Sequence, residues 1–225
     1  MKKFLIVIIV LLSSNVHGHM DHYKKYNKIE MDIFRNGELI GYNYYFFTRK
    51  GDETIVTNQI KFSVKILGAT IFQLEGFGKE KYVENQLISY DSKTLQNDKE
   101  KFVNLVFNKD KNKFIIKGSS YSGEASIDNI VGNWWNHKIL QSDSQISPIS
   151  GSIKKQVVTF ISKKKIEQNG KVYNVSHFTL TSKDMSLPKD KRLDFNIWYD
   201  QENSLIIRVS YSRMGNWEYR LKNFE

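Results

Sequence analysis

The fold is decided by one stretch of the sequence, TIVTNQIKFSVKI at residues 54–66. Nearly every second position of this stretch is apolar: Val56, Ile60, Phe62, Val64 and Ile66. The positions between them are polar: Thr57, Gln59, Lys61, Ser63 and Lys65. Successive side chains of a β-strand point to opposite faces. The alternation therefore predicts a strand with one buried face and one face in water.

The same alternation dominates the chain after residue 26, and turn signals separate the alternating runs. These signals are Asn36-Gly37, Lys50-Gly51-Asp52, Lys109-Asp110-Lys111-Asn112, Asn169-Gly170, Gln201-Glu202-Asn203 and Met214-Gly215-Asn216. Short turns join antiparallel neighbours, so we expect roughly ten to twelve strands in an antiparallel meander. The predicted strands, some of them merged, cover 27–35, 38–49, 53–67, 69–78, 80–90, 99–108, 112–118, 120–127, 153–165, 171–182, 192–200, 204–213 and 216–223.

A break near residues 128–152 interrupts this pattern. Apolar spacing predicts a short helix over residues 128–141, capped by Asp128 or Asn133, and a polar loop follows it. The break separates about eight strands from about five, which form two sheets of one domain or the two halves of a curled barrel. The sequence therefore predicts a mainly β fold. We expect a single antiparallel bent sheet or half-barrel with one short helix region, in one domain over residues 19–225.

Residues 1–18 are typical of a secretory signal peptide. Lys2 and Lys3 form a basic start, an apolar run of nine residues ends at Leu12, and Gly18 suits a cleavage site. At about 1.5 Å per residue this run is too short to cross a bilayer core of roughly 30 Å. An uncleaved anchor or a buried strand is the alternative. We therefore expect an exported or periplasmic protein that has no transmembrane span once the signal is removed.

The composition excludes several classes of protein. The absence of cysteine excludes disulfide scaffolds, cysteine-ligated metal sites and cysteine nucleophiles. The formal net charge is +10, or +8 without Lys2 and Lys3, which favours anionic lipid headgroups or acidic envelope polymers as partners. A charged surface that only confers solubility is the alternative. The lysines are scattered and no arginine cluster is interleaved with aromatic residues, so nucleic acid is not an expected partner.

Two parts of the chain resemble a known family. An N-G-x-x-I-G hairpin occupies Phe34-Arg35-Asn36-Gly37-Glu38-Leu39-Ile40-Gly41. Near the end, Leu193-Asp194-Phe195-Asn196-Ile197-Trp198-Tyr199-Asp200 precedes a last strand, Trp217-Glu218-Tyr219-Arg220-Leu221. This order is similar to that of a bacterial exported family, domain of unknown function 6134, and more loosely to its 3108 relative. Asn133-Trp134-Trp135 stands where that family has a Trp after its central break.

The resemblance spans most of the chain that follows the signal. It implies an open β-barrel, similar to the folds of periplasmic lipoprotein carriers and lipocalins. The family has no established activity, so the resemblance implies no reaction and no cofactor. Its motifs also have an architectural explanation, because Asn-Gly suits a tight turn and Asp200 can cap the turn after its strand.

Aromatic residues supply the candidate ligand-binding positions. The strand at 38–49 has Tyr42, Tyr44 and Phe46 on one face and Tyr45 and Phe47 on the other, so it is either buried between layers or lines a cavity. Trp134 and Trp135 are adjacent and point different ways: one is expected under the sheet and the other at a cavity mouth. Packing is the alternative for both sets. The candidate ligand-binding residues are Tyr42, Tyr44, Phe46, Trp134 and Trp135.

The histidines carry no recognisable catalytic motif. His19 becomes the N-terminus if cleavage follows Gly18, and an N-terminal histidine with His22 is a weak copper-brace pattern; we predict no metal site. His137 on the predicted helix and His177 on a strand lack a Gly-x-Ser-x-Gly partner. We therefore predict no catalytic residues and no cofactor.

Carboxylates do not form an evident pair either. The alternation places Asp194 and Asp200 on one face with Trp198, about 20 Å apart, which is too far for glycoside hydrolysis. Glu75 and Glu80 flank glycines, which is typical of loop or rim residues.

Three functional hypotheses follow. The first is a non-catalytic periplasmic module that binds a hydrophobic or amphipathic, lipid-like ligand in a concave sheet. The second is a structural or interaction module of the envelope that recruits a protein partner through an exposed strand edge and binds no small ligand. The third is a hydrolase that acts on envelope polymers.

Overall fold

The computed structural model describes residues 19–225, and the predicted signal peptide lies outside the described residues. The described chain is a long β-meander with a short 3-10 helix, His19–Tyr23, before its first strand. The strands are β1 (Lys28–Arg35), β2 (Glu38–Lys50), β3 (Glu53–Ile66), β4 (Ala69–Val83), β5 (Gln86–Gln96), β6 (Lys99–Asn108), β7 (Lys113–Gly118), β8 (Ser122–Ser126), β9 (Ile130–Val131), β10 (Ser144–Ile146), β11 (Ile153–Gln168), β12 (Lys171–Ser182), β13 (Asp194–Asp200), β14 (Leu205–Ser212) and β15 (Asn216–Phe224).

All of these strands belong to one open sheet. Its order is β8-β7-β6-β5-β4-β3-β2-β1-β15-β14-β13-β12-β11-β10-β9, so the first and last strands of the chain are neighbours at its centre. Consecutive strands from β1 to β8 and from β10 to β15 pair antiparallel, most of them through short turns. β8 and β9 lie at opposite edges, and β9 and β10 pair parallel. The prediction of a mainly β, half-barrel-like single sheet is confirmed. Among residues 19–225, no helix is long and apolar enough to cross a membrane.

The hairpin turns follow the chemistry of their residues. Asn36 and Gly37 have φ values of +51° and +85°, and Asn169 and Gly170 repeat this pattern at +52° and +72°. Asn and Gly tolerate positive φ, and two such residues match the twist of the flanking strands. The Asn-Gly turns predicted from the sequence are therefore confirmed.

One predicted strand boundary was wrong. The sequence predicted strands at 69–78 and 80–90, whereas β4 continues through its glycines to Val83. A Cβ at Gly78 would lie 3.0 Å from the Tyr90 hydroxyl, and one at Gly76 would lie 3.1 Å from the Thr94 hydroxyl. These glycines therefore make room for side chains of β5 and do not mark a turn.

The predicted helix over residues 128–141 is much shorter in the structure. It is a single 3-10 turn at His137–Leu140, and its cap is Asn136, whose Oδ1 accepts the Lys138 N–H at 3.1 Å. The apolar side chains of this region pack against separate parts of the sheet, so they do not line one side of a helix. We call residues 127–152 the central segment.

The two faces of the sheet differ in burial. We call the face that carries Asn43, Tyr45 and Phe47 on β2 the inner face, and the opposite face the outer face. The inner face holds the core, and the central segment packs against it. Trp135, which is 1% exposed, contacts the ring of Phe47, with centroids 5.4 Å apart. The carbonyl of Pro148 accepts a hydrogen bond from Tyr90. The central segment thus fills one part of the curled sheet and leaves a cleft beside it.

Candidate functional site

The main cleft of the described chain lies on the inner face and has a volume of about 750 Å³. Strands β2 to β5 form one side, β13 to β15 form another, and the central segment forms its base. The loop between β12 and β13, residues 183–193, borders its mouth. Ligand sites typically have volumes of about 300–1,000 Å³, so the cleft is large enough for a small molecule.

A hydrogen-bonded polar strip crosses the cleft on β2 and β3. Asn58 Nδ2 donates to Asn43 Oδ1 at 2.6 Å, and Asn43 Nδ2 donates to the Tyr45 hydroxyl at 2.7 Å. The backbone N–H of Trp134 also donates to the Tyr45 hydroxyl, at 3.2 Å. Burial raises the pKa of Tyr45, so its hydroxyl stays neutral. This hydroxyl accepts both bonds, and its own proton has no acceptor among the described residues.

Aromatic side chains form another part of the cleft wall. The centroids of Trp134 and Phe195 lie 5.1 Å apart, and those of Phe195 and Tyr211 lie 5.3 Å apart. The ring centroid of Tyr219 lies 6.2 Å from that of Trp134. We call these four side chains the aromatic wall. The wall and the polar strip line the same cleft, so it offers apolar and hydrogen-bonding surface to the same occupant.

Four cations line the cleft: Lys154, Lys189, Arg192 and Arg213. We call Lys154, Arg192 and Arg213, which bond main-chain carbonyls, the cationic rim. Lys154 Nζ donates to the Lys191 carbonyl at 3.4 Å, and Arg213 Nη2 donates to the Arg192 carbonyl at 2.8 Å. Arg192 Nε donates to the Leu187 carbonyl at 2.6 Å. Main-chain carbonyls therefore hold these cations in place.

Within residues 19–225, no carboxylate forms an ion pair with the cationic rim, although Asp190 and Asp194 also line the cleft. Hydrogen bonds from Ser186 lower the pKa of the exposed Asp184, and the nearby charge of Arg192 lowers it further. Burial lowers the pKa of Lys154, and the positive charge of Arg213 lowers it further. Like charges that face one another across a partly desolvated mouth favour an anion between them.

The structure separates the five candidate residues into three groups. Trp134 lies in the cleft, and Trp135 is buried beneath it. Tyr42, Tyr44 and Phe46 lie on the outer face and do not line this cleft. The strand has aromatic residues on both faces, so only its tertiary contacts decide which face is inner. A binding role for these residues stays a prediction, while the cleft residues of β2 that the sequence reasoning missed are Asn43 and Tyr45.

Glu80 was expected in a loop or at a rim, and this was wrong. It is 2% exposed and accepts three hydrogen bonds, from Asn133 Nδ2 at 2.6 Å, Trp135 Nε1 at 2.9 Å and the Tyr82 hydroxyl at 2.6 Å. Burial raises the pKa of this carboxyl, and the three donors oppose that rise. Glu80 thereby fixes the residues on either side of Trp134 and positions that indole in the cleft.

A second cluster lies between the first 3-10 helix and the central segment. The ring centroids of His19 and His22 lie 4.9 Å and 5.2 Å from that of His137, whose Nδ1 is 2.6 Å from the Tyr23 hydroxyl. Burial lowers the pKa of His19 to about 3 and that of His137 to about 4. No three histidine or carboxylate side chains of residues 19–225 are arranged to hold a metal ion.

The two candidate catalytic histidines, His137 and His177, have other partners. The Nδ1 atom of His137 lies 2.6 Å from the Tyr23 hydroxyl. His177 Nε2 lies 2.9 Å from Asn196 Oδ1, and its ring stacks on Trp198 with centroids 4.8 Å apart. Neither pairing joins the histidine to a serine hydroxyl, as a Ser-His mechanism requires.

Asp194 and Asp200 differ in burial: Asp194 is exposed and Asp200 is buried. The pairing of β13 with β14 has a β-bulge between Trp198 and Tyr199, and its extra residue, Ile207, lies on β14. The alternation along β13 itself is therefore not interrupted. The prediction that Asp200 caps the following turn is confirmed, since its Oδ1 accepts the Glu202 N–H at 3.0 Å.

Comparisons with known proteins identify a similar fold and a family, but they indicate no reaction. A beta-barrel-like protein of domain of unknown function DUF1849 from Brucella abortus has a TM-score of 0.60 and 9% identity, over 88% of this chain and 96% of that one. A protein with a YmcC-like fold from Bacteroides fragilis has a TM-score of 0.36 and 9% identity, over 88% and 94%. At such identities the likeness to the Brucella protein shows the fold alone. No curated protein matches the sequence.

The family assignment extends over nearly the whole described chain. The profile of one family, described as domain of unknown function (DUF6134), matches residues 31–222. The matched range contains the early hairpin, the central segment and the last strand, on which the resemblance in the sequence rests. The chain therefore belongs to the DUF6134 family.

Proposed function

We propose that this protein is a non-catalytic binding module of the bacterial periplasm whose cleft holds an amphipathic, lipid-like ligand with an anionic head. The aromatic wall would contact the apolar part of the ligand, and the polar strip would bind its hydroxyl or carbonyl groups. The cationic rim would meet the anionic head. The proposed location rests on the signal-like residues 1–18.

One observation carries this proposal: the aromatic wall and the cationic rim, which forms no ion pair among residues 19–225, border the same cleft. An aromatic wall alone would suit any apolar molecule, and surface cations alone would only confer solubility. Their combination at one mouth supports an occupant with an apolar body and a negative end. The Tyr45 hydroxyl proton, which has no acceptor among residues 19–225, could be donated to a neutral polar group of the ligand.

The test is native mass spectrometry of the protein recovered from the periplasm without detergent, followed by denaturation and solvent extraction. We expect a mass excess that denaturation releases as an anionic amphipath. The double variant Lys154→Gln/Arg213→Gln should retain at most about one fifth of the amphipath that the unaltered protein retains. Lys165→Gln, which removes an exposed cation outside the cleft, is the matched control. A ligand-free mass from several expression hosts would contradict the proposal.

The open edge of the sheet favours a second candidate function. Among the strands of residues 19–225, β8 pairs with β7 alone, so its other side could accept an added strand of an envelope protein. Cross-linking from a photoreactive residue at Glu124 on β8 would test this. Specific capture of one stoichiometric partner by a protein without a ligand would favour this candidate over the first.

A further inference from the structure

Two hairpin tips of the sheet carry apolar residues where the other tips carry polar ones. The Leu67-Gly68 turn has φ values of +50° and +82°, close to those of the Asn36-Gly37 turn. Leu67 therefore stands where an Asn-Gly turn has its asparagine. Met214 has a φ of +51° at the tip between β14 and β15. The remaining non-glycine residues with positive φ in the described chain are Asn36, Glu84, Asn97, Asn112, Asn169 and Ser204.

The backbone does not explain these two apolar residues. Positive φ is disfavoured for leucine and methionine, because Cβ approaches the carbonyl oxygen and neither side chain bonds its own backbone to compensate. Burial does not explain them either, since Leu67 is fully exposed and Met214 is 81% exposed. Asparagine would suit both positions better in an isolated molecule. Their presence indicates that the tips contact an apolar environment.

Both tips lie at the end of the sheet where the cleft opens, which we call the cleft end. The turns β1–β2, β3–β4, β5–β6 and β14–β15 share this end with the loop at 183–193. Met214 itself lines the cleft, as does the exposed Met185 of that loop. Four strand spacings separate the tips of Leu67 and Met214, which is about 19 Å along the sheet.

The charge at this end determines the kind of surface that fits. The cationic rim lies beside Met214, and Lys65 precedes the apolar pair Ile66 and Leu67. Exposed apolar tips beside cations are complementary to an anionic bilayer, because its headgroup layer is negatively charged and its interior is apolar. A protein partner would instead favour one contiguous apolar patch with a buried centre, and these tips stand far apart.

We propose that the cleft end docks on an anionic lipid bilayer, with Leu67 and Met214 inserted among the headgroups and the cationic rim on the lipid phosphates. This inference rests on the proposed function, because it supplies the route by which the amphipath enters and leaves the cleft. The docked orientation places the mouth of the cleft against the lipid and keeps the opposite end in water.

The test is co-sedimentation of the purified protein with vesicles of phosphatidylcholine alone and of an equal mixture with phosphatidylglycerol. We expect binding to the mixed vesicles that is lost in high salt, and little binding to the neutral ones. Leu67→Asn/Met214→Asn should weaken binding roughly tenfold. Both substitutions place asparagine at positive φ, so thermal unfolding should show an equally or more stable protein, which excludes misfolding as the cause.

Val172→Thr is the matched control, because Val172 is 59% exposed at the opposite end of the sheet, and its variant should bind vesicles like the unaltered protein. Equal vesicle binding by the double asparagine variant would overturn the proposal. A second result would also overturn it: the unaltered protein sediments as a dimer, the double asparagine variant does not, and neither binds vesicles. The tips would then join two copies of the chain.

Native mass spectrometry of the same preparations separates this inference from the proposed function. Vesicle binding by a protein that never carries a ligand would uphold docking and contradict the proposed function. A ligand in the cleft without any vesicle binding would contradict docking alone.

Discussion

The inner and outer faces of β2 carry similar side chains in different surroundings. On the inner face, the hydroxyl of Tyr45 is buried and accepts hydrogen bonds from Asn43 and Trp134. On the outer face, Tyr44 stacks on Tyr42 with centroids 4.5 Å apart, and its hydroxyl accepts a hydrogen bond from Lys222 Nζ at 3.3 Å. Composition is therefore a poor guide to a site on such a strand. The connection of a polar group to distant residues distinguishes the two faces.

The largest effect is expected on the inner face, at Glu80. Glu80→Ala leaves three buried donors without an acceptor and should lower the free energy of unfolding by at least about 3 kcal/mol. Glu80→Gln keeps one amide oxygen for Asn133 and Trp135 and should cost less than about 1.5 kcal/mol. Urea unfolding followed by tryptophan fluorescence measures both. Equal losses in the two variants would show that the hydrogen bonds to Glu80 do not stabilise the fold.

The inner face should also make stability depend on pH. The folded pKa values of His19 and His137, about 3 and about 4, lie below the ordinary value of 6.5. The unfolded chain therefore binds more protons below pH 6.5, so the free energy of unfolding falls as the pH falls towards 4. Between pH 7.5 and 5.5 we expect a loss of about 1 kcal/mol for each histidine, measured by urea unfolding.

His137→Gln provides the control for this dependence. It removes one of the two titrating groups, so about half of the loss between pH 7.5 and 5.5 should disappear. An unchanged pH dependence in this variant would show that His137 is not the group that resists protonation.

A smaller effect is expected when the hydroxyl of Tyr45 is removed. Tyr45→Phe leaves the Trp134 N–H and one Asn43 N–H without their acceptor, which should lower the free energy of unfolding by about 1–2 kcal/mol. The variant should also lose ligand in native mass spectra, since the polar strip is interrupted. Retention of full stability would mean that water replaces the hydroxyl at this position.

The smallest change in stability is expected for the tyrosine-to-phenylalanine substitution at the preceding residue, Tyr44. Tyr44→Phe removes one long hydrogen bond to an exposed lysine, and the stacked ring remains. We expect a change in the free energy of unfolding within about 0.5 kcal/mol and an unaltered ligand content. If Tyr44→Phe and Tyr45→Phe proved equally destabilising, the distinction between the faces would not hold.

Local patterns in the sequence predicted most of the sheet. The alternation around Phe62 and the Asn36-Gly37 turn are each explained by neighbours within a few residues, and both are confirmed. The bulge between Trp198 and Tyr199 has no such local signal, because the extra residue, Ile207, lies on the partner strand β14. A register shift of this kind depends on how two strands pair, so counting by two along one strand does not reveal it.

The candidate site was harder to predict, because long-range contacts define it. Glu80 meets Asn133 and Trp135, which lie more than fifty residues away, and nothing next to Glu80 in the sequence announces these donors. The adjacent indoles were the one usable signal. Trp134 does line the cleft, and its neighbour is the buried anchor that holds it there.

The pairing of β1 with β15 also bears on how the chain acquires its structure. Ile29 pairs with Phe224, so the centre of the sheet joins nearly the two ends of the polypeptide. Such remote contacts slow folding, because a long loop must close before they form. A nascent chain without its last strand would expose β1 as an unprotected edge. The centre of the sheet can therefore close only once β15 is available to pair with β1, which makes this pairing a late step of folding.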